Sequence, residues 1–287
     1  FKWGVIGAAL ATIISQIVGM VYMSSYFLSG SSYLKIRMKN LRPKWEILKP
    51  MLAIGTAAFV QTVAGSLSSI LLIGMVIRYG GDEALSAFGI LQRVSMFAMM
   101  PGMVLAQALQ PVLGYNYGAK RYGLGLKAIS VAAIFSTIFS LFGFALLYLI
   151  PGPIFRIFSD DKVLIDIGIE VSRLYFLSLP LIGVMMVGQT MFQAVGKAMQ
   201  AFITAIVRPV VFLVPLAFLM SNLLKLDGVF IAVPMSDLLT LLLVAGLVIP
   251  IINEFRKLAA AEKQKKAEGL SPQELLPVRG GSGQPVK

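Results

Sequence analysis

Most side chains that could do chemistry are missing from this sequence. There is no cysteine and no histidine among its 287 residues, which excludes thiolate metal sites, disulfides and nucleophiles of the Ser/His/Asp or Cys/His type. There is no glycine-rich phosphate loop with a lysine, and the acids form no metal-binding cluster. The sequence therefore predicts that the protein is not an enzyme and has no catalytic residue, metal site or cofactor.

Amide side chains inside long apolar runs are the first candidates for a binding site. Gln189 and Gln193 are four residues apart, on one face of a predicted helix and beside Met185 and Met186. Amides in such positions form hydrogen bonds between helices, typically worth about 0.6 kcal/mol each, or line a water-filled cavity. Methionine offers an adaptable surface to varied apolar ligands. The candidate substrate residues are Gln61, Gln92, Gln189, Gln193, Met185 and Met186.

The composition indicates which solvent surrounds these runs. Hydrophobic residues make up 57% of the chain and charged residues 13%, against roughly 25% charged residues in soluble domains. Seven apolar runs lie at residues 4–28, 47–77, 84–113, 125–150, 174–195, 198–220 and 228–252. Each is close to the length of about 20 residues that a membrane-spanning helix needs. They lack the period-two alternation of a barrel strand, so the predicted fold class is an all-α polytopic membrane protein with seven transmembrane helices.

The charges between the runs predict the orientation. Basic residues favour cytoplasmic loops. They cluster after the first, third, fifth and seventh runs, for example Lys39, Lys120, Lys197 and Arg256, whereas the other loops carry most of the acids, such as Asp166. This alternation predicts a first helix that runs from outside to inside and a cytoplasmic C-terminus at the plasma (inner) membrane. Because the net charge of +12 lies in these loops, we expect the bilayer to be a partner and nucleic acid not to be one.

Arg93, Arg208 and Asp237 are the charges that lipid should exclude. At 1.5 Å per helical residue, Arg93 and Asp237 both fall about 15 Å below the outer surface, and Arg208 about 20 Å below it. The shared depth favours an ion pair between Arg93 and Asp237 within the bundle. The alternative is that these three charges act in a gate or a proton relay.

The two ends of the chain are also informative. The first run is too long for the apolar region of a signal peptide, about 7–15 residues, and the chain starts at Phe1, three residues before a helix that enters from outside. We therefore expect an odd number of helices upstream. Residues 256–287 are mixed in charge and then rich in glycine and proline, which is typical of disorder. A short surface helix is expected near residues 258–266.

Several segments resemble the multidrug and toxin extrusion (MATE) family. The most specific is Gly-x-Asn-x-Gly-Ala at residues 114–119, preceded by Gln-Pro at residues 110–111, which resembles the loop after that family's eighth helix. The motif residues are Gln110, Pro111, Gly114, Asn116, Gly118 and Ala119. Residues 4–16 look like the family's sixth helix, residues 192–197 like the end of its tenth, and residues 226–237 like its twelfth.

The resemblance implies an arrangement and an activity. Family members have twelve helices in two lobes, so residues 1–29 would be the last helix of the first lobe, 30–46 a basic cytoplasmic loop, 47–255 the second lobe and 256–287 a tail. The missing first lobe would be a partner within the same protein. The family exports cationic or amphipathic small molecules in antiport with Na+ or H+ by alternating access.

Two departures from the family pattern concern the coupling ion. Where one branch has a glutamate that helps to bind sodium, this chain has Gln61, and that branch's aspartate falls near Val184. The chain is therefore more similar to the branch whose coupling aspartate lies in the first helix, outside this sequence. Two other interpretations remain open: a lipid-linked oligosaccharide flippase of the same superfamily, and a seven-helix receptor.

Overall fold

The computed structural model describes residues 4–29 and 44–267, and the regular structure within them is helical. The chain divides into two compact units, Phe1–Met51 and Leu52–Lys287. The helices are α1 (Gly4–Leu28), α2 (Trp45–Gly118), α3 (Tyr122–Leu149), α4 (Pro151–Phe158), α5 (Lys162–Tyr175), α6 (Leu179–Ala194), α7 (Ala198–Ile206) and α8 (Val214–Ala267). A 3-10 turn (Phe176–Ser178) joins α5 to α6, and a π-helical segment (Val207–Leu213) joins α7 to α8.

Two of these helices contain a residue whose backbone is not helical. Gly81 interrupts α2 with φ 69° and ψ −163°, and Lys225 interrupts α8 with φ 53° and ψ −123°. The two interruptions meet, because a Cβ at Gly80 would lie 2.9 Å from the Leu226 side chain. By length and composition, five helical stretches of the described residues can cross a membrane, and two of them contain these interruptions. The prediction of an all-α polytopic membrane protein is confirmed, and the count of seven spans stays a prediction.

Two boundaries differ from those expected from the sequence. The fifth apolar run was expected to begin at Leu174, but α5 begins at Lys162, where the Asp161 carboxylate caps the helix by accepting from the Val163 backbone N–H at 2.9 Å. Disorder was expected from Arg256, but α8 extends to Ala267. The expected helix at residues 258–266 is present as the last part of α8. Residues 256–267 are rich in Ala, Lys and Glu, which favour helix. Residues 30–43 and 268–287, with most of the predicted inter-lobe loop and tail, lie outside the described residues.

The second unit has two apolar cores along its length. Phe88, Phe155 and Phe230 belong to the core near the two interruptions. Leu113 and Phe255 belong to the other core. Phe88 and Leu113 lie toward opposite ends of the helical stretch that follows Gly81, and so do the two cores. On α8, the buried Asp237 lies between Phe230 of the first core and Phe255 of the second.

The outward faces of the helices are apolar. In α3 the buried residues recur at helical spacing and include Ser136, Ser140 and Gly143. The opposite face carries Ile134 at 58% exposure and Phe142 at 67%. A water-soluble helix shows the reverse pattern. This distribution, with small residues at helix contacts and large apolar ones outside, is that of a helix bundle in lipid.

Gly183 allows α3 and α6 to approach closely. A Cβ at this position would lie 2.6 Å from the Ser136 carbonyl oxygen and 2.7 Å from the Ser140 hydroxyl. We therefore expect Gly183→Ala to lower the free energy of unfolding by about 1–3 kcal/mol, as other overpacked sites do. The matched control is Gly246→Ala in α8, where no heavy atom lies within 4 Å of the new Cβ. Thermal unfolding of the purified protein in detergent measures both, and equal midpoints for the two variants would contradict the close packing.

Candidate functional site

Asp237 is the centre of a buried polar group in the second unit. Its side chain is 0% exposed. One carboxylate oxygen, Oδ1, accepts a hydrogen bond from Arg208 Nε at 2.6 Å, and the other, Oδ2, accepts from the Ser178 hydroxyl at 2.6 Å. Each oxygen of the buried carboxylate therefore has a donor, which is the condition for keeping a charge away from water.

Three elements position these groups. Asp237 lies on α8, Ser178 in the 3-10 turn before α6, and Arg208 in the π-helical segment. Pro209 has no N–H and so cannot continue an α-helical hydrogen-bond ladder. Its own carbonyl accepts a hydrogen bond from the Ser68 hydroxyl of α2 at 2.7 Å. This contact anchors the π-helical segment to α2 and fixes the residue from which the Arg208 side chain projects.

Two cavities adjoin this group. The larger has a volume of about 720 Å³ and is lined by Arg93, Arg208, Gln92, Tyr175 and other residues. The smaller, of about 140 Å³, is lined by Gln61, Gln189, Met185, Met186 and others. Gly65, Met99, Arg208 and Pro209 line both. One third of the Arg208 side chain is exposed (34%), so Arg208 links the buried carboxylate to the cavities.

The structure places five of the six predicted amide and methionine residues at these cavities. Gln61, Gln189, Met185 and Met186 line the smaller one, and Gln92 lines the larger one. Gln193 lines neither. It lies in the last turn of α6, and its carbonyl accepts a hydrogen bond from the Gly196 N–H at 3.2 Å. Both amides lie within α6, as their spacing predicts, but only Gln189 lines the smaller cavity.

The predicted ion pair has a different partner. The sequence favoured Arg93 for Asp237, whereas the carboxylate pairs with Arg208. Arg208 lies in a π-helical segment, which holds more residues per turn than an α-helix, so the direction of its side chain cannot be counted from α-helical spacing. Arg93 is exposed and lines the larger cavity. It forms no ion pair with any residue in the described part of the chain.

The family-like motif at residues 110–119 is helical as far as Gly118 rather than a loop. Helix α2 extends to Gly118, and Asn116 Nδ2 donates to the Val112 carbonyl at 2.8 Å. The Arg121 N–H then donates to the Asn116 carbonyl at 2.8 Å, and Lys120, with φ 57°, donates to the Tyr117 carbonyl at 3.1 Å. This pattern is a Schellman cap. The motif therefore ends a helix, and its residues line neither cavity.

The segment at residues 192–197 ends α6 with the same cap. The Lys197 N–H donates to the Phe192 carbonyl at 2.9 Å, and Gly196 takes the left-handed conformation with φ 76°. Lys197 then pairs with Glu254 of α8 at 3.6 Å. Two of the segments that carried the resemblance thus have a structural role, because they stop helices at defined residues.

Sequence reasoning missed several residues of the site. Ser178, Ser68 and Tyr175 are of types common in any helix, and only their contacts distinguish them. Ser178 ends a 3-10 turn that no local pattern predicted. Pro209 lies within an apolar run of the sequence, but no local pattern predicts the π-helical segment around it or its contact with Ser68.

The MatE family model matches residues 57–219, more than half of the chain and most of the elements that build the site. The chain belongs to the MatE family. Membership excludes the seven-helix receptor and confirms the resemblance seen in the sequence. Together with the apolar helices, it makes the chain a multi-pass membrane protein.

Curated relatives within this family include multidrug export proteins. MepA of Staphylococcus aureus (strain NCTC 8325 / PS 47) is 26% identical over 233 residues, which cover 80% of this chain and 50% of MepA. MepA of Staphylococcus saprophyticus is 28% identical over 231 residues. The chain thus spans about half the length of the curated relatives it matches.

Solved structures show the same fold. The MATE multidrug transporter DinF-BH is 37% identical, with a TM-score of 0.78 over 88% of this chain and 56% of that one. A MOP superfamily transporter from Pyrococcus furiosus has a TM-score of 0.82 at 23% identity, over 89% of this chain and 58% of that one, a likeness of fold alone.

Gln189 and Gln193 provide a matched pair for testing the smaller cavity of this MatE-family chain. We expect Gln189→Leu to narrow the range of compounds to which expressing cells are resistant, because the change removes a polar group that lines the cavity. Gln193→Leu should leave the range unchanged. Minimum inhibitory concentrations for a panel of dyes and drugs measure this. Equal profiles for the two variants would place Gln189 in packing only.

Proposed function

We propose that this chain is the last helix of the first lobe and the whole second lobe of a secondary active multidrug exporter. The exporter moves cationic or amphipathic small molecules out of the cell in antiport with H+ or Na+. The proposal is supported by membership of the MatE family, by the MepA relatives and by the two adjoining cavities.

The observation that carries the proposal is the charged pair beside the cavities. A buried carboxylate and an arginine within membrane-length helices are costly and are retained where they act on a ligand or an ion. Asp237 is fully buried, and Arg208 reaches both cavities. If these side chains served only to join helices, neutral hydrogen-bonding groups would be sufficient in place of Asp237 and Arg208.

The orientation belongs to the same proposal. Basic residues after α1, after Gly118, around Lys197 and after Ile252 would lie in the cytoplasm of a cell with a plasma (inner) membrane, together with the C-terminus. The loop at Gly81 and the helices α4 and α5 would face outside. The coupling site would lie in the part of the protein upstream of this chain. Asp237, the buried acid among the described residues of the second unit, would respond to it.

Alternating access follows from two lobes that rock around a shared site. In such a mechanism, binding of the coupling ion shifts the population toward one opening. The cavities at Arg208 would form the second-lobe side of that site. The π-helical segment gives a place where one helix can change its register, since such segments are common at functional sites.

Ethidium efflux tests the function. Cells that express the full-length protein are loaded with ethidium, and the loss of fluorescence is followed with and without an imposed sodium gradient, and with and without a proton gradient. We expect faster efflux than in cells with an empty vector, and a loss of that difference when the coupling gradient is removed. Efflux equal to the empty vector would contradict multidrug export.

A lipid-linked oligosaccharide flippase is the second candidate. It is favoured by Arg93 and Arg208 lining one cavity, since arginines suit a pyrophosphate group. The ethidium assay distinguishes the two functions, because expression of a flippase would leave ethidium efflux unchanged. Deletion of the gene for a flippase would stop the transfer of a pyrophosphate-linked sugar across the membrane.

A further inference from the structure

The charged groups that line the larger cavity are both arginines. Arg93 and Arg208 are its charged lining residues, and no carboxylate lies among the described residues that form its wall. Asp237 is fully buried, does not line the cavity and neutralises the charge of Arg208. Arg93 has no acidic partner in the described part of the chain. The wall of this cavity therefore carries a net positive charge.

Arg208 has donors that its carboxylate partner does not use. A guanidinium has five N–H groups in a fixed fork, and the hydrogen bond to Asp237 uses Nε. Oδ2 of Asp237 accepts from the Ser178 hydroxyl, so Arg208 contacts the carboxylate through Oδ1 alone. The Nη edge of Arg208 remains for a ligand in the cavities, toward which one third of the side chain is exposed.

The rest of the wall suits an amphiphile. Leu72, Met96 and Met99 supply apolar surface, and Tyr175 and Ser69 supply hydroxyl groups. The volume of about 720 Å³ falls within the range of small-molecule sites, about 300–1,000 Å³. The cavity thus combines an apolar wall with one cationic region.

We infer that this cavity binds the anionic group of an amphipathic ligand, through the Nη edge of Arg208 and through Arg93. The anionic group is a carboxylate, sulfonate or phosphate, whose oxygens match the arginine fork. Asp237 and Ser178 are positioning residues that fix the guanidinium. The inference does not rest on ethidium export, because it concerns binding alone, and it extends the anion suggested for the second candidate function to other anionic amphiphiles.

A pair of fluorescent probes separates the anionic group from the apolar body. 8-Anilinonaphthalene-1-sulfonate carries a sulfonate, and N-phenyl-1-naphthylamine has the same aromatic body without it. Both are titrated into the full-length protein in phosphatidylcholine nanodiscs, with empty nanodiscs as background. The variants are Arg93→Met, and Arg208→Met combined with Asp237→Leu, which removes both members of the buried pair and leaves no unpaired charge. The control is Arg156→Met, an exposed arginine of α4 that lines neither cavity.

We expect both cavity variants to weaken sulfonate binding about ten-fold, the size of one charge-assisted contact. Binding of the neutral probe should stay as in the wild type, and Arg156→Met should change neither. Unchanged sulfonate binding in Arg93→Met and the double variant would overturn the inference, and so would equal loss of both probes.

The source of the natural anion is tested with lipid composition. Part of the phosphatidylcholine is replaced by phosphatidylglycerol, whose headgroup carries a phosphate with net negative charge. If this lipid weakens sulfonate binding in the wild type but not in Arg93→Met, the site takes a lipid headgroup. If it has no effect while the arginine variants still lose sulfonate binding, the site takes a free anionic amphiphile. Both results support an anion site.

Discussion

Arg208→Met should be among the most destabilising single substitutions in the second unit. It leaves the Asp237 carboxylate fully buried with the Ser178 hydroxyl as its one remaining donor. Removing one partner of a buried pair costs about 3–5 kcal/mol, and because one third of Arg208 is exposed, we expect about 3 kcal/mol. The shift in thermal unfolding of the purified protein in detergent measures it.

The control for this prediction is the double variant Arg208→Met with Asp237→Leu. Replacing a buried pair by apolar residues of similar volume is often neutral or stabilising, so the double variant should regain most of the lost stability. If Arg208→Met unfolds at the wild-type temperature, the carboxylate is reached by water or by another cation, and the buried pair is not as described.

Asp237→Asn should slow ethidium efflux about ten-fold or more, because it removes the charge attraction between the carboxylate and Arg208, and each loss of about 1.4 kcal/mol of stabilisation lowers a rate about ten-fold. The asparagine has the shape of the aspartate, and its oxygen can still accept from Arg208 Nε, so the fold should persist. The substitution removes the negative charge and leaves the arginine uncompensated beside both cavities. Initial efflux rates at equal protein abundance measure the effect.

The matched control for the charge change is Asp166→Asn, an exposed acid of α5. It should transport at the wild-type rate. Wild-type transport and drug resistance in Asp237→Asn would remove this acid from coupling and leave it a structural role. Loss of protein from the membrane in that variant, with normal amounts of Asp166→Asn, would also assign Asp237 to folding rather than to transport.

Sequence periodicity and composition predicted much of the fold because lipid imposes simple rules. A helix is the one open-ended structure that satisfies its backbone in hydrocarbon, so long apolar runs could be assigned without knowing their contacts. The reversals at Gly81 and Lys225 fall between predicted runs for the same reason. The start of α5 at Lys162 could not be predicted in the same way. This helix is amphipathic, and its polar residues interrupt the run of apolar ones.

The charged residues of the site and most of its amides were predicted, but Ser68, Ser178, Tyr175 and the pairings were not. Depth along a helix can be counted, and it brought Asp237 and the two arginines to one region of the membrane. The direction in which each side chain points around the helix axis cannot be counted in this way. The helical register near Pro209 cannot be counted either, because the segment is π-helical and contacts Ser68 of another helix. The ion pair was therefore assigned to Arg93 instead of Arg208.

Labelling of single cysteines tests the membrane arrangement on which the cavities depend. These 287 residues contain no cysteine, so Lys120→Cys and Lys162→Cys each add one thiol to them. The two positions lie before and after the membrane-length helix α3. A membrane-impermeant maleimide added to intact cells should label the cysteine at position 162 and reach the one at position 120 only after the cells are opened. Labelling of both positions from the same side would contradict the alternating topology and the exporter built on it.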